Sequence, residues 1–322
     1  MIGRVSLQES ARNVVQNCAR VRPGEFVCIA TDTQVMSIAM ALMEAVRGTG
    51  AEPIVVAMEP RRAHGNEPPR VVAAAMQAAD VVIQPVTFAM THTDATRQAL
   101  RAGARVLVLR GITEDIMTQG AMLADYDKID RDTRELAHLM SEARRAHVRT
   151  AIGTDMSMSL QGREAIALTG RVVGPGTFAA MPDGEAAIAP VEGTAEGTVV
   201  VEHTMDNLGL LDAPIRMEVR AGRVIGIAGG ASAASLQALL ASADENARNI
   251  AEFAIGTNDQ ARLIGSMTED KKYRGSVHVG LGDNHVIGGT VVSSLHLDGL
   301  VLTPTVELDG RVIVENGRLL IG

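Results

Sequence analysis

The stretch 269–304, EDKKYRGSVHVGLGDNHVIGGTVVSSLHLDGLVLTP, concentrates side chains that can do chemistry: His278, Asp283, His285, His296 and Asp298. Val277-His278-Val279 and Leu295-His296-Leu297-Asp298 alternate as strands do. Alternate residues of a strand share a face, so His296 and Asp298 point the same way, about 7 Å apart along the chain. An imidazole and a carboxylate on one face, with a second strand histidine nearby, form half of a divalent-metal site. The competing reading is a pair of satisfied polar residues at a sheet edge.

Two carboxylates outside this stretch bear on the same question. Glu185 follows the Met181-Pro182-Asp183-Gly184 turn and enters an apolar strand, a position that holds a carboxylate rigidly or leaves it solvated. Acidic neighbours at Glu192, Glu196 and Glu202 prevent a choice by composition alone. Glu252 lies in Asn249-Ile250-Ala251-Glu252-Phe253-Ala254-Ile255-Gly256, where apolar flanks make an unpaired carboxylate costly. A metal ion or a salt-bridge partner would offset that cost. His92, in Met90-Thr91-His92-Thr93, follows a strand in the first half of the chain. It could face a cleft at the carboxyl ends of strands, or belong to the N-cap of the next helix.

The elements that must position these residues differ between the two halves. Strands at 25–30, 52–58, 80–85 and 105–109 alternate with helices at 6–21, 35–49, 68–79 and 93–102, and Ser6 and Glu9 predict a capping box. That alternation predicts parallel βαβ units covered on both faces. A helix over 128–145 closes the first domain. Beyond it, glycine turns and alternating strands (197–202, 215–219, 224–227, 312–314) predict a β-rich α+β domain, interrupted by a helix over 232–250. The expected fold is therefore α/β: a doubly wound parallel-sheet domain at 1–150, then a metal-binding α+β domain at 151–322. Tyr126, His138 and His147 read as surface or packing residues on or near helices. No GxGxxG or GxxxxGK[ST] lies at a strand end in the first half, so nucleotide binding has no support.

Composition excludes several function classes. The 322 residues are 46% hydrophobic and 21% charged, a globular balance. The formal charge of -8 argues against a nucleic-acid partner. No signal peptide is recognisable and no apolar run reaches about 18 residues, which predicts a cytoplasmic protein without a membrane span. Cys18 and Cys28 lack metal spacing and read as buried free thiols.

Taken together, PDGE, EFAIGTN, ARL, HVGLGDN and LHLDG resemble the aminopeptidase T family of metallopeptidases and its wider superfamily, most strongly over 170–310. The resemblance implies two domains, a homodimer and two divalent metal ions held by two glutamates, two histidines and an aspartate. By motif these fall on Glu185, Glu252 (bridging), His278, His296 and Asp298. The peptidases' catalytic tyrosine is replaced here by His285. The same superfamily contains 2,5-dihydroxypyridine dioxygenases, which use one iron(II). Their facial triad resembles His296 and Asp298, joined by a histidine where this chain has Glu252, and they lack a histidine at 278. Their active-site histidine from the first domain matches His92.

The expectation from this pattern is a metallohydrolase: two ions (zinc, manganese, cobalt or iron(II)) activating water to cleave a C–N bond of a small amide, short peptide or aromatic amine. Glu252 would bridge the ions and take part in catalysis. His285 would serve as general acid/base, and His92 would contact substrate. The alternatives are the mononuclear iron(II) ring-cleaving dioxygenase and a non-enzymatic binding protein.

Overall fold

The computed structural model describes residues 3–321. The chain divides into two compact units, one comprising the residues up to Asp130 with Thr169–Asp183, the other Arg131–Leu168 with the residues from Gly184 onward. The division therefore falls within the helix Tyr126–Glu142 and not at 149–152. Two strands account for the difference. Arg145–Arg149 hydrogen-bonds into a sheet of the second unit, and the later strand Phe178–Ala180 pairs with Arg105–Arg110 in the first.

The first unit is built on an all-parallel five-stranded sheet. Its order is Glu52–Met58, Phe26–Asp32, Val81–Val86, Arg105–Arg110 and Phe178–Ala180. Alternate residues of its strands enter two separate apolar clusters. Val27, Ile29, Ile83 and Leu107 belong to one, and Cys28, Ala30, Val82 and Val106 to the other. Both faces are thus covered, as continuous apolar strands require. The expected helices form at Met36–Arg47, Arg70–Gln77 and Asp94–Arg101. The first helix is shorter than expected: Leu7–Asn13, capped by the Ser6 hydroxyl accepting from Glu9 N at 3.2 Å, continues as a π-helical turn over Val14–Cys18. Cys18 and Cys28 are buried free thiols.

The second unit is a pair of antiparallel sheets around one core. The eight-stranded sheet runs Arg223–Ala228, Ile215–Arg220, Glu196–Val201, Asp155–Ser159, Arg145–Arg149, Thr305–Leu308, Arg311–Glu315, Arg318–Leu319. His147 therefore lies on a strand, five residues past the end of the helix Tyr126–Glu142, and pairs with Asp155 at 2.7 Å. The seven-stranded sheet runs Gly209–Leu210, Thr204–Met205, His296–Val301, Val277–Gly282, Ile250–Gly256, Glu185–Ile188, Ile166–Leu168. Met156, Val199 and Ile215 from the first sheet share a cluster with Ile188, Phe253, Ile255, Val277, Val279, Leu281 and Leu297 from the second.

The helix expected over 232–250 stops at Ser242. Asp244 takes over as a cap, accepting from Asn246 N at 2.9 Å, and a 3-10 turn at Glu245–Arg248 leads into the strand that begins at Ile250. A short polar side chain that bonds its own backbone competes with helix continuation. Glu252 is thereby a strand residue.

Phe253 is fully buried in the core beside Glu252. Phe253→Ala should destabilise the protein by about 3–5 kcal/mol, read as a lower urea midpoint; a change below about 1 kcal/mol would contradict this packing.

Candidate metal centre

Strand periodicity places four polar residues on one face of the seven-stranded sheet, and a bulge adds a fifth. On Val277–Gly282, Val277, Val279 and Leu281 enter the core, which turns His278 and Gly280 to the opposite face. On His296–Val301, Leu297 and Val301 enter the core and His296 and Asp298 do not. On Glu185–Ile188, Ala186 and Ile188 are core residues and Glu185 opens the strand on the other side.

Glu252 reaches that face through an irregularity. Ile250 pairs with Leu281 while Glu252 pairs with Gly280, so Ala251 is an extra residue in the ladder. The bulge changes the phase, letting both Ile250 and Phe253 enter the core while Glu252 points away from it. Glu252 and Asp298 both register with Gly280, on either side of the same strand.

Gly280 is the floor of the site. A Cβ there would lie 2.7 Å from Glu252 Cβ, 2.9 Å from Asp298 Oδ1 and 3.1 Å from His296 Cε1. The space between these side chains exists because residue 280 has none.

The polar atoms converge tightly. His296 Nε2 lies 3.0 Å from Asp298 Oδ1 and 3.1 Å from Glu252 Oε2, and His278 Nε2 lies 3.1 Å from Glu252 Oε1. Candidate ligand atoms fall within 4.8 Å of one another in two groups, Glu252–His296–Asp298 and Glu185–Glu252–His278, which share Glu252. Glu185, Glu252, His278 and Asp298 are buried; His296 is partly open to solvent.

The hydrogen bonding of His296 tests whether a cation fits. Its Nδ1 is 2.7 Å from the Asp283 backbone carbonyl, which can only accept, so Nδ1 carries the proton and donates. In the neutral ring Nε2 then presents a lone pair to two carboxylates. Only a second proton or a metal ion between them makes that arrangement favourable. Glu185 Oε2 and His278 Nδ1 are also buried without a hydrogen-bond partner. The residues fit a divalent cation.

Without one, the electrostatics are those of a buried ion cluster. Burial opposes charge on His296, but Asp298 and Glu252 outweigh it and push the imidazole up to about 11. Burial likewise opposes ionisation of Asp298, yet Lys271 and the two histidines hold it well below the usual carboxylate range. Burial and Asp298 both work against the charge of Glu252, and hydrogen bonds from His278 and His296 overcome them and lower it. Glu185 is lowered against burial by Lys271, Lys272 and His278.

The two lysines escaped the sequence reading. Lys271 Nζ donates to Asp298 Oδ2 at 2.9 Å and lies 3.6 Å from Glu185 Oε1; Lys272 Nζ is 2.8 Å from that same oxygen. Adjacent lysines in Glu269-Asp270-Lys271-Lys272 look like a solvated charge run, and no periodicity marks them otherwise.

The remaining sequence candidates lie around this set or apart from it. His285 sits in the 3-10 turn His285–Ile287, half exposed, with Nδ1 2.7 and 2.8 Å from the two Asp283 carboxylate oxygens. Asp283 thus orients His296 through its carbonyl and His285 through its side chain. His203 lies 3.7 Å from Asp270 Oδ2, in the support beneath the lysines. His92 belongs to the first unit, exposed on the turn before Asp94–Arg101, where Thr93 is the N-cap and the His92 carbonyl accepts from Arg97 Nη1.

A family model described as NicX, 2,5-dihydroxypyridine 5,6-dioxygenase, matches residues 6–321. The chain belongs to the 2,5-dihydroxypyridine 5,6-dioxygenase family. A curated member of that name from Pseudomonas putida is 26% identical over 261 residues, covering 76% of this chain and 71% of that protein. The solved structure of the P. putida 2,5-dihydroxypyridine dioxygenase superposes with a TM-score of 0.82 at 22% identity, covering 99% of this chain and 98% of that one. AmpT from Thermus thermophilus superposes with a TM-score of 0.74 at 16% identity, covering 98% of each chain.

These matches correct the sequence reading. The likeness to aminopeptidase T holds for the fold, and the metallohydrolase expected from five ligand-competent residues gives way to the dioxygenase family. The ligand types alone could not separate the two chemistries, because imidazole and carboxylate suit zinc, manganese and iron(II) alike. Glu252 and His278, the two positions at which the resemblance set this chain apart from the dioxygenases, touch each other at 3.1 Å.

Two outcomes follow from this geometry. Gly280→Ala should lower divalent-metal affinity by at least about 10-fold, the scale of a disturbed ligand shell, with the far-UV spectrum unchanged; unaltered affinity would show that the space above Gly280 is not used. Because metal must displace the proton that His296 holds up to about 11, metal binding should release protons and tighten as pH rises, about tenfold per unit for one proton between pH 6 and 8. Calorimetry in buffers of different ionisation enthalpy measures that release.

Proposed function

We propose that the protein is a mononuclear iron(II) ring-cleaving dioxygenase acting on a hydroxylated pyridine, with 2,5-dihydroxypyridine as the first substrate to try. The observation that carries this reading is the convergence of Glu252, His296 and Asp298 above Gly280 in a chain that matches the dioxygenase family nearly end to end. One imidazole and two carboxylates form a hard, oxygen-rich set suited to iron(II) or manganese(II). When bound, iron(II) supplies the redox centre that brings dioxygen and an electron-rich ring to reaction.

The protein's own groups have separate tasks. The Asp283 carbonyl fixes the ring orientation of His296 and leaves Nε2 as the donor atom. Lys271 holds the outer oxygen of Asp298, leaving Oδ1 toward His296. His278 holds Glu252 from the neighbouring strand. His285, oriented by the Asp283 carboxylate, is the group we assign to accept a proton from a substrate hydroxyl, in the manner of an imidazole held by an acid.

Protein reconstituted with iron(II) without air should, on exposure to oxygen, consume one dioxygen per 2,5-dihydroxypyridine and abolish the ring absorbance. His296→Ala should lose the activity by more than about 100-fold along with the bound iron. His285→Gln should keep the iron and lower kcat by about 100-fold or more. Iron-loaded protein that leaves oxygen and a panel of hydroxypyridines untouched would refute the assignment.

A further inference from the structure

Glu269 and Asp270 are completely buried, yet neither belongs to the metal-ligand groups. Each instead pins a loop. Glu269 accepts from Arg262 N, Nε and Nη2 at 3.0, 3.1 and 3.0 Å. Asp270 accepts from Ile264 N at 2.8 Å, Gly265 N at 3.0 Å and the Thr204 hydroxyl at 2.5 Å. The backbone of Lys272 is tied on both sides, its N–H to the Glu269 carbonyl at 3.0 Å and its carbonyl to Asn258 N at 2.9 Å. Lysine side chains are ordinarily mobile and solvated. Here they spring from a segment fixed at both ends and lie almost wholly buried, 11% exposed for the Lys271 side chain and 7% for Lys272.

Both ammonium groups address Glu185 Oε1, and Lys271 also binds Asp298 on Oδ2, the oxygen turned away from His296. The Glu252–His296–Asp298 group keeps its inner oxygens, while the Glu185–Glu252–His278 group has a positive charge fixed on its outer carboxylate. With both imidazoles neutral, as metal ligation requires, three buried carboxylates against two ammonium groups leave one net negative charge. A single divalent ion turns that to one positive; a second would leave three buried positive charges, an arrangement strongly disfavoured at low dielectric.

We propose that Lys271 and Lys272 stand in for a second metal ion, neutralising Glu185 and the outer oxygen of Asp298 and so limiting the centre to one divalent ion at Glu252, His296 and Asp298. The inference rests on the single-metal reading above and gives it a cause. The two lysines are positioning residues: they act on the ligands, and Glu185 is their counterion.

The test is the manganese(II) content of the purified chain, by equilibrium dialysis and elemental analysis, with no assay of activity. The parent should bind one ion. Glu185→Gln should still bind one, with Kd within about threefold of the parent, whereas Glu252→Gln and Asp298→Asn should weaken binding by more than about 100-fold. Lys271→Met/Lys272→Met should bind a second ion, and adding Glu185→Gln to that pair should return the count to one. Two ions in the parent, loss of the ion from Glu185→Gln, or one ion in a folded lysine variant would each overturn the proposal. If the lysine variant fails to fold with or without manganese, the parent count and Glu185→Gln decide it alone. Ring cleavage with one ion in the parent but without the variant counts would refute only the lysine role; two ions in the parent would refute the single-metal reading as well; these counts without ring cleavage would refute only the dioxygenase assignment.

Discussion

Three carboxylates, Glu185, Glu252 and Asp298, are buried on one face of one sheet, and everything near them answers the cost of placing them there. Uncompensated, each would be protonated or would expel itself toward water. The surrounding side chains supply positive charge in two forms: fixed ammonium groups from Lys271 and Lys272, and imidazoles that carry a proton or yield it to a metal. The fixed charge serves the outer oxygens, and the exchangeable charge faces the space above Gly280. A site that must bind a cation reversibly needs this division, because a fully neutralised cluster would have no reason to take one up.

The fold makes the arrangement rigid. The antiparallel ladder sets Glu252, Gly280 and Asp298 side by side across three strands, and the bulge at Ala251 lets the same strand bury Ile250 and Phe253 while turning Glu252 away from the core. The opposite face of this sheet is packed against the eight-stranded sheet through Val277, Val279, Leu281 and Leu297. Apolar burial therefore holds the strands on which the costly polar groups stand, and the favourable and unfavourable terms share the same residues at alternate positions.

AmpT shares the fold at 16% identity, and the family match puts this chain with the dioxygenases. A fold does not fix a reaction; that is argued from the residues of the site. Here Glu252 and His278 meet across neighbouring strands at 3.1 Å, a carboxylate and an imidazole that each offset the other's cost of burial.

By itself the sequence determined the two kinds of architecture and the identity of the five converging side chains. Parallel strands buried on both faces are continuous apolar runs, as at Phe26–Asp32, and strands with one polar face alternate, as at Val277–Gly282; both periods are local and legible. Glu252 stood out because a carboxylate in an apolar run demands a partner, and His278, His296 and Asp298 because they recur on alternating strands; Glu185 joined them only through the family resemblance. Which partner was decided only by tertiary structure. Lys271 and Lys272 lie in an unremarkable charge run, and their burial comes from contacts with Glu185, 86 and 87 positions earlier in the chain, and from the pinning of Glu269 and Asp270 by Arg262, Ile264, Gly265 and Thr204. The helix end at Ser242, the bulge at Ala251 and the return of Phe178–Ala180 to the first sheet escaped the sequence reading for the same reason. Each is set by competition among long-range contacts, and a local pattern carries no information about which contact wins.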